Sequence, residues 1–432
     1  MKGLLDMMKV VQINAVYEYS STGRITMELD LALKKNGCGS YVFCTNRNDS
    51  EKGIYCMGTP FSRKAHGFLS RLTGLQGYYS RSATGKMLRQ LDKIKPDVVH
   101  LGNLHGNYIH VNMLLDYLEK NQIPTVVTLH DCWLFTGHCC HYLEDNCDRW
   151  QYGCGKCPAK HKWNKSWFFD RSAKVYADRK AGFGKLKSLT VVGVSDWVTN
   201  ECRKSFMKEN AHFARIYNWI DLETFSPRER LHHERPRVLS VAQSWSKTKG
   251  IYDIIQIASE HPGYDFLLIG ELSENIKIPP NMKLLGVIND VNKLAEQYGQ
   301  ADALLHLSYQ ETFGKVVAEA LACGTPAIVY NITALPELIG SGCGAVVEKG
   351  DWKAAGEALD ELLSGMINTE DTFDKLPLTE KKTGAITDTA SNASEIANTC
   401  RKYAISRFDK TTLIKQWIEL YKAVSNLECT QN

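Results

Sequence analysis

The sequence predicts an α/β protein built from two Rossmann-like domains. Its 432 residues suit two large domains, at about 100–200 residues each. Short apolar runs alternate with helix-length amphipathic segments, the pattern of βαβ units and parallel sheets. The same alternation restarts beyond a polar stretch in mid-chain. With 44% hydrophobic and 23% charged residues, the composition excludes a disordered, collagen-like or coiled-coil chain.

Taken in order, the predicted strands of the first half are residues 10–14, 39–44, 98–101, 126–130 and 190–194, with helices between them such as 26–35 and 113–120. A linker is read from Ile216 through Pro227 and the polar, His- and Arg-rich stretch to Pro236. Strands are then expected at 237–241, 266–270, 283–286, 303–307 and 327–330. Two segments break the alternation. Residues 132–170 are rich in Cys, aromatic and basic side chains, and residues 368–392 are polar and read as an excursion or mobile loop. A last helical pattern over 404–424 carries Trp417, Leu420 and Tyr421 on one face. The expected domains are therefore 1–217 and 218–403, followed by a terminal helix in 404–432.

Residues 1–220 carry 31 Lys and Arg against 19 Asp and Glu, and residues 221–432 carry 21 against 29. The halves differ in charge, and so in expected role. No apolar run approaches the roughly 20 residues of a membrane span. The N-terminus lacks a secretory pattern, because Asp6 interrupts its short apolar run and no cleavage site follows. A cytoplasmic location is expected. Fourteen cysteines in such a chain favour a reducing compartment with a local metal or structural role.

The stretch Gln310 to Pro326 is the most informative. An apolar strand runs into a loop holding Glu311 and Gly314, and a helix from about Lys315 to Cys323 carries Glu319. A strand that ends in a glycine loop and opens a helix aims backbone N–H groups and the helix dipole above the sheet, where phosphate is the natural ligand. Glu319 can reach ribose hydroxyls, and Glu311 faces the crevice at the strand end. The bland alternative is a helix whose acid merely complements the dipole.

These residues resemble glycosyltransferase family 4, of the GT-B fold. The Glu-x7-Glu motif matches Glu311 and Glu319 and extends through Phe313-Gly314 and on to Pro326. The segment Ile216 to Asp221 is similar to the family's hinge, with Trp219 where glycine is usual. The resemblance implies two domains facing a central cleft, the first for the acceptor and the second for the nucleotide sugar, with the terminal helix crossing back to the first. It implies a retaining transferase that moves a hexose-type sugar from a nucleoside diphosphate sugar to a saccharide or polyprenyl-diphosphate-linked acceptor in surface polysaccharide synthesis. Glu319 would bind the ribose, the backbone at Phe313, Gly314, Lys315 and Val316 the diphosphate, and Glu311 the sugar. Lys249 matches the family's diphosphate-clamping lysine, and its charge neutralises the leaving group. Gln243 and Ser244 stand where the family often has Arg. No cofactor is expected for catalysis.

In the first domain, His100 and His130 fall at strand ends, where α/β sheets place ligand contacts. By resemblance His130 lies beside the donor sugar, and Gly23, followed by Arg24, resembles the glycine loop near the donor phosphate. The segment with Cys132, Cys139, Cys140, Cys147, Cys154 and Cys157 looks like a subset of family 4 enzymes from capsule and exopolysaccharide loci. The two-residue spacing of Cys154 and Cys157 suits a metal knuckle, which Cys147 with Cys139 or Cys140 can complete as a structural zinc site. The set Cys139, Cys147, Cys154 and Cys157 is preferred, with unligated thiols or disulfides as alternatives. Basic residues interleave with Trp163, Trp167 and Phe168 over 160–187, which suits an anionic membrane surface or an acceptor carrying a lipid diphosphate; the alternative is a helix with a solvated basic face and core aromatics. Other readings are a degenerate, non-catalytic GT-B protein and, more remotely, a nucleic-acid-binding protein. No nucleic-acid partner is expected.

Overall fold

A computed structural model describes residues 8–162, 164–273, 275–364 and 389–426. Most of the polar segment 368–392 therefore lies outside the described residues. The chain divides into two compact units: residues up to Tyr217 joined by those from Leu413, and Asn218–Thr412.

The first unit holds strands β1 (Lys9–Ile13), β2 (Gly39–Cys44), β3 (Ile54–Cys56), β4 (Val98–Leu101), β5 (Thr125–Leu129), β6 (Leu189–Gly193) and β7 (Ala211–Arg215). Its helices are α1 (Ser20–Lys35), α2 (Pro60–Thr73), α3 (Arg81–Ile94), α4 (Val111–Lys120), α5 (Ser172–Gly184) and α6 (Asp196–Arg203). The sheet runs β3-β2-β1-β4-β5-β6-β7, and every pairing is parallel. β4, β5 and β6 are buried along their whole length, as expected of strands covered by helices on both faces. Sequence chemistry starts several helices: Thr59 and Ser62 form a reciprocal capping box with Pro60 in the first turn of α2, and Ser195 caps α6.

The second unit holds β8 (Arg237–Ser244), β9 (Asp265–Glu271), β10 (Met282–Gly286), β11 (Ala303–His306), β12 (Ala327–Tyr330) and β13 (Gly344–Val347). Helices α7 (Ile251–Glu260), α8 (Val291–Gly299), α9 (Lys315–Ala322), α10 (Trp352–Leu363) and α11 (Thr389–Phe408) accompany them. The order is β10-β9-β8-β11-β12-β13, again all parallel. Both sheets thus reverse direction of growth once, beside β1/β4 and beside β8/β11. The crevice beyond the strand ends at such a point is where open α/β sheets bind ligands.

Three strands were not anticipated. β3, β7 and β13 are edge strands, two of them three or four residues long, and β7 and β13 have no fully buried position. The terminal pattern also differs from one helix over 404–424. The chain breaks at Asp409, whose carboxylate accepts from Thr412 N–H and Oγ1 and restarts a helix, α12 (Lys410–Asn426).

α12 is held in the first unit by buried aromatic and polar contacts. Tyr421 Oη lies 2.7 Å from His100 Nδ1, His100 Nε2 lies 2.6 Å from Thr128 Oγ1, and the His100 ring stacks on Trp417 at 4.9 Å. Burial pushes the His100 pKa down to about 3, with the nearby His130 adding to the effect. His100 is thus a neutral structural residue. Trp417→Ala should cost about 3–5 kcal/mol in urea unfolding, and Tyr421→Phe, which strands the buried imidazole, about 1–3 kcal/mol.

Candidate active site

The carboxyl ends of β8 and β11 bring the site of the second unit together. β8 leads into a tight turn, Lys247–Lys249, closed by Gly250 at φ 74°. A Cβ on Gly250 would stand 2.1 Å from the Leu307 carbonyl oxygen, so only glycine lets the turn approach the end of β11. Tyr309 N–H donates to Thr248 O at 2.8 Å, tying the two loops together. Lys249 Nζ consequently reaches Glu311 Oε1 in an ion pair. His306, the last residue of β11, places Nε2 3.4 Å from the same oxygen. Glu311 N–H donates to Thr333 Oγ1 at 3.1 Å.

Burial alone would raise the Glu311 pKa, but Lys249 and then His306 outweigh it and hold the carboxyl well below the usual carboxylate range. The group is a fixed anion at neutral pH. Gly314 caps α9 at φ 91°, where a Cβ would press to 2.9 Å from Leu335 and 3.0 Å from Leu338. The N-terminus of α9, with the backbone N–H groups of Lys315 and Val316 in its first turn, follows directly. Phe313 is buried edge-to-face on Phe408 at 5.7 Å. Glu319 is buried on α9, accepts from Tyr298 Oη at 3.1 Å, and lies 3.6 Å from Lys315 Nζ. Gln243 and Ser244 end β8 as exposed residues.

In the first unit, His130 follows β5. Burial pushes its pKa down to about 4, opposed by Asp131. Asp131 pairs with His105 Nε2 at 2.8 Å and accepts Trp133 N–H at 2.8 Å. Its burial is outweighed by His105, leaving a pKa of about 2, while Asp131 in turn raises that of His105 against the effect of burial. Gly23 sits within α1 and not in a loop. An added Cβ there would meet Val16 at 3.1 Å, so helix packing on the β1–α1 connection explains this glycine.

The zinc expectation is not supported. Among the described residues, one set of three possible ligands has its donor atoms within 4.8 Å of one another, and it is His105, Asp131 and Cys140. Cys139, Cys147, Cys154 and Cys157 lie near enough for their thiols to raise one another's pKa but do not converge to that distance, and all thirteen described cysteines are free thiols. The Cys-rich segment has an aromatic core instead: Trp150 packs on Phe135 at 5.3 Å and Tyr142 at 4.8 Å. Arg179, buried on α5, lies 3.6 Å over Trp133 and donates to the carbonyls of Trp133 and Thr136. The segment thus has a packed interior of its own.

His105 and His306 were not anticipated as site residues. The available signal for His306 was a lone imidazole ending an otherwise apolar strand, five residues before Glu311.

These parallel sheets, with their polar groups at the strand ends of β8 and β11, define a GT-B glycosyltransferase fold. Solved structures agree: sucrose-phosphate synthase from Thermosynechococcus elongatus superposes with a TM-score of 0.66 at 16% identity, covering 96% of this chain and 99% of that one. WaaG, a glycosyltransferase of lipopolysaccharide biosynthesis, gives 0.59 at 15% identity over 95% and 99%. Residues 22–224 match the family model described as Glycosyltransferase Family 4, and residues 223–375 the one described as Glycosyl transferases group 1. Neither model spans half of the chain; together they run over residues 22–375, a similarity to glycosyltransferases in both units. Relatives include N-acetyl-alpha-D-glucosaminyl L-malate synthase of Bacillus anthracis, 29% identical over 42% of this chain and 52% of the relative. A putative colanic acid biosynthesis glycosyl transferase, WcaC, of Escherichia coli is 26% identical over 59% and 64%. An uncharacterized protein in the cps region of Klebsiella pneumoniae is 23% identical over 93% and 97%. The chain thus spans about half to two thirds of the first two relatives.

The Asp131–His105 pair sets a pH dependence. The lowered Asp131 pKa contributes stability present above about pH 3.8 and lost as pH falls toward about 2. The raised His105 pKa contributes stability present below about 6.5 and lost as pH rises past its folded value. Unfolding of His105→Gln should therefore show its largest deficit, about 2 kcal/mol, near pH 5–6, shrinking toward pH 2.

Proposed function

We propose that this protein transfers a hexose-type sugar, with retention of configuration, from a nucleoside diphosphate sugar to a saccharide or lipid-linked saccharide in surface polysaccharide synthesis. The observation that carries the reading is the Lys249–Glu311–His306 cluster beside the N-terminus of α9, at the switch point of the second sheet. The names of the relatives support the polysaccharide context, and HepE of Anabaena has been solved with UDP-glucose.

The chemistry asks for charge compensation where the leaving group forms. As the C1–O bond breaks, its electron pair moves to the diphosphate, and Lys249 with the α9 N–H groups stabilises that charge. The acceptor hydroxyl attacks C1 on the same face, and its proton passes to the departing diphosphate oxygen. Glu311, kept ionised, accepts from sugar hydroxyls and stabilises positive charge developing at the ring. Donor binding draws Lys249 toward the diphosphate, and His306 remains as the partner of Glu311. Glu319 binds the ribose hydroxyls on giving up its contact with Lys315. The low pKa of His130 keeps its imidazole neutral, which suits a hydrogen bond to a sugar hydroxyl without competing for the diphosphate.

A screen of nucleotide sugars for hydrolysis and transfer tests the reading. One donor should turn over. Glu311→Gln should lower kcat by about 10²–10³-fold with modest change in diphosphate affinity, and Lys249→Ala should lower both. An α-linked donor should give an α-linked product by NMR. If wild type binds and hydrolyses no donor, the degenerate reading replaces this one; a β-linked product from an α-donor overturns retention.

A further inference from the structure

Thr333, in the loop after β12, holds a backbone conformation that its own side chain disfavours. Its φ is 54°, in the left-handed region, where a β-branched residue is an outlier and glycine is free of strain. Such a conformation persists only where the surrounding structure over-determines it, and it concentrates at functional sites. The surroundings here do so. Tyr330, three residues earlier, is buried and donates Oη to Asp253 Oδ2 at 2.7 Å. Asn331 N–H donates to Val347 O at 2.6 Å, and Ile332 N–H turns back to Tyr330 O at 2.8 Å. On the other side Ala334 and Leu335 are buried, and Leu335 packs so close to Gly314 that a Cβ there would stand 2.9 Å from it. The loop is anchored at both ends, so Thr333 cannot relax by shifting.

The hydroxyl accounts for the strain. Thr333 Oγ1 donates to Ile332 O at 2.7 Å, which leaves its lone pairs for the Glu311 N–H, 3.1 Å away. Tyr309, two residues before Glu311, donates Oη to the same Asp253 oxygen that Tyr330 uses, also at 2.7 Å, and the two tyrosine rings pack edge-to-face at 5.4 Å. One carboxylate on α7 therefore holds both flanks of the hydrogen bond between Glu311 and Thr333. α7 itself starts at Gly250, which closes the turn carrying Lys249. A glycine at 333 would fit this φ without strain, but it could not accept from Glu311.

We infer that Thr333 is a positioning residue for Glu311: its hydroxyl fixes the backbone of the Glu311 loop, and with it the carboxylate between Lys249 and His306. The inference rests on the transfer role proposed for Glu311, but its effect on the loop is read without a donor. Thr333→Gly removes the acceptor and relieves the strain, Thr333→Val keeps the shape and the strain without the hydroxyl, and Thr333→Ser keeps the hydroxyl. The test pairs hydrogen exchange of the Glu311 amide, resolved by NMR on the full chain labelled at glutamate, with steady-state kinetics on the donor that wild type turns over. The amide should exchange at least about tenfold faster in the Gly and Val variants and like wild type in the Ser variant. In the same two variants kcat should fall about tenfold or more, with donor KM within about twofold of wild type, and Ser should restore most of the rate. Thr333→Gly should lose this rate with a urea unfolding midpoint no lower than wild type, a separation that a merely structural threonine would not produce. Unchanged exchange at Glu311, or wild-type kcat in the Gly and Val variants, overturns the inference. If wild type turns over no donor, the transfer reading falls, and the exchange result alone decides the role of Thr333.

Discussion

A buried carboxylate needs compensating charge, and in the second unit that need shapes everything near Glu311. Two side chains converge on one of its oxygens, the Lys249 ammonium from the turn after β8 and the His306 imidazole from the end of β11. Isolated, such an anion would be neutralised by its surroundings. Held between these partners it stays charged, and its loop is fixed by Thr333 behind it.

The constraint propagates outward through the fold. β8 and β11 are direct neighbours, with Ala303 opposite Val238 and Leu304 opposite Leu239. Their loops can therefore meet, and Gly250 removes the steric obstacle to their approach. The first unit solves a similar problem differently. Asp131, just beyond β5, is compensated by His105 and a backbone N–H, in a segment locked by Arg179 over Trp133. Each sheet thus carries an ionised carboxylate beyond a strand end, but only the second sets it beside a lysine and a helix N-terminus.

Much of this was legible in the sequence. Central strands announce themselves as continuous apolar runs because both faces are buried, and the Glu311 and Glu319 spacing marks a strand-loop-helix junction. The edge strands β3, β7 and β13 were not legible, because they are short or half-exposed. His306 was hidden because a strand-end imidazole acquires meaning only when a loop from elsewhere returns to it. The cysteine spacing pointed to a metal, yet the segment packs through Trp150, Phe135 and Tyr142, contacts that no spacing rule encodes.

The account turns on the pairing of Lys249 with Glu311, a contact that Lys249 gives up when it moves to the donor diphosphate. A double-mutant cycle read by calorimetric binding of the nucleoside diphosphate that wild type binds, with Lys249→Ala, Glu311→Gln and the pair, measures that directly. Strong non-additivity, with coupling of about 1 kcal/mol or more, is the predicted result. Independent effects that simply add would contradict it.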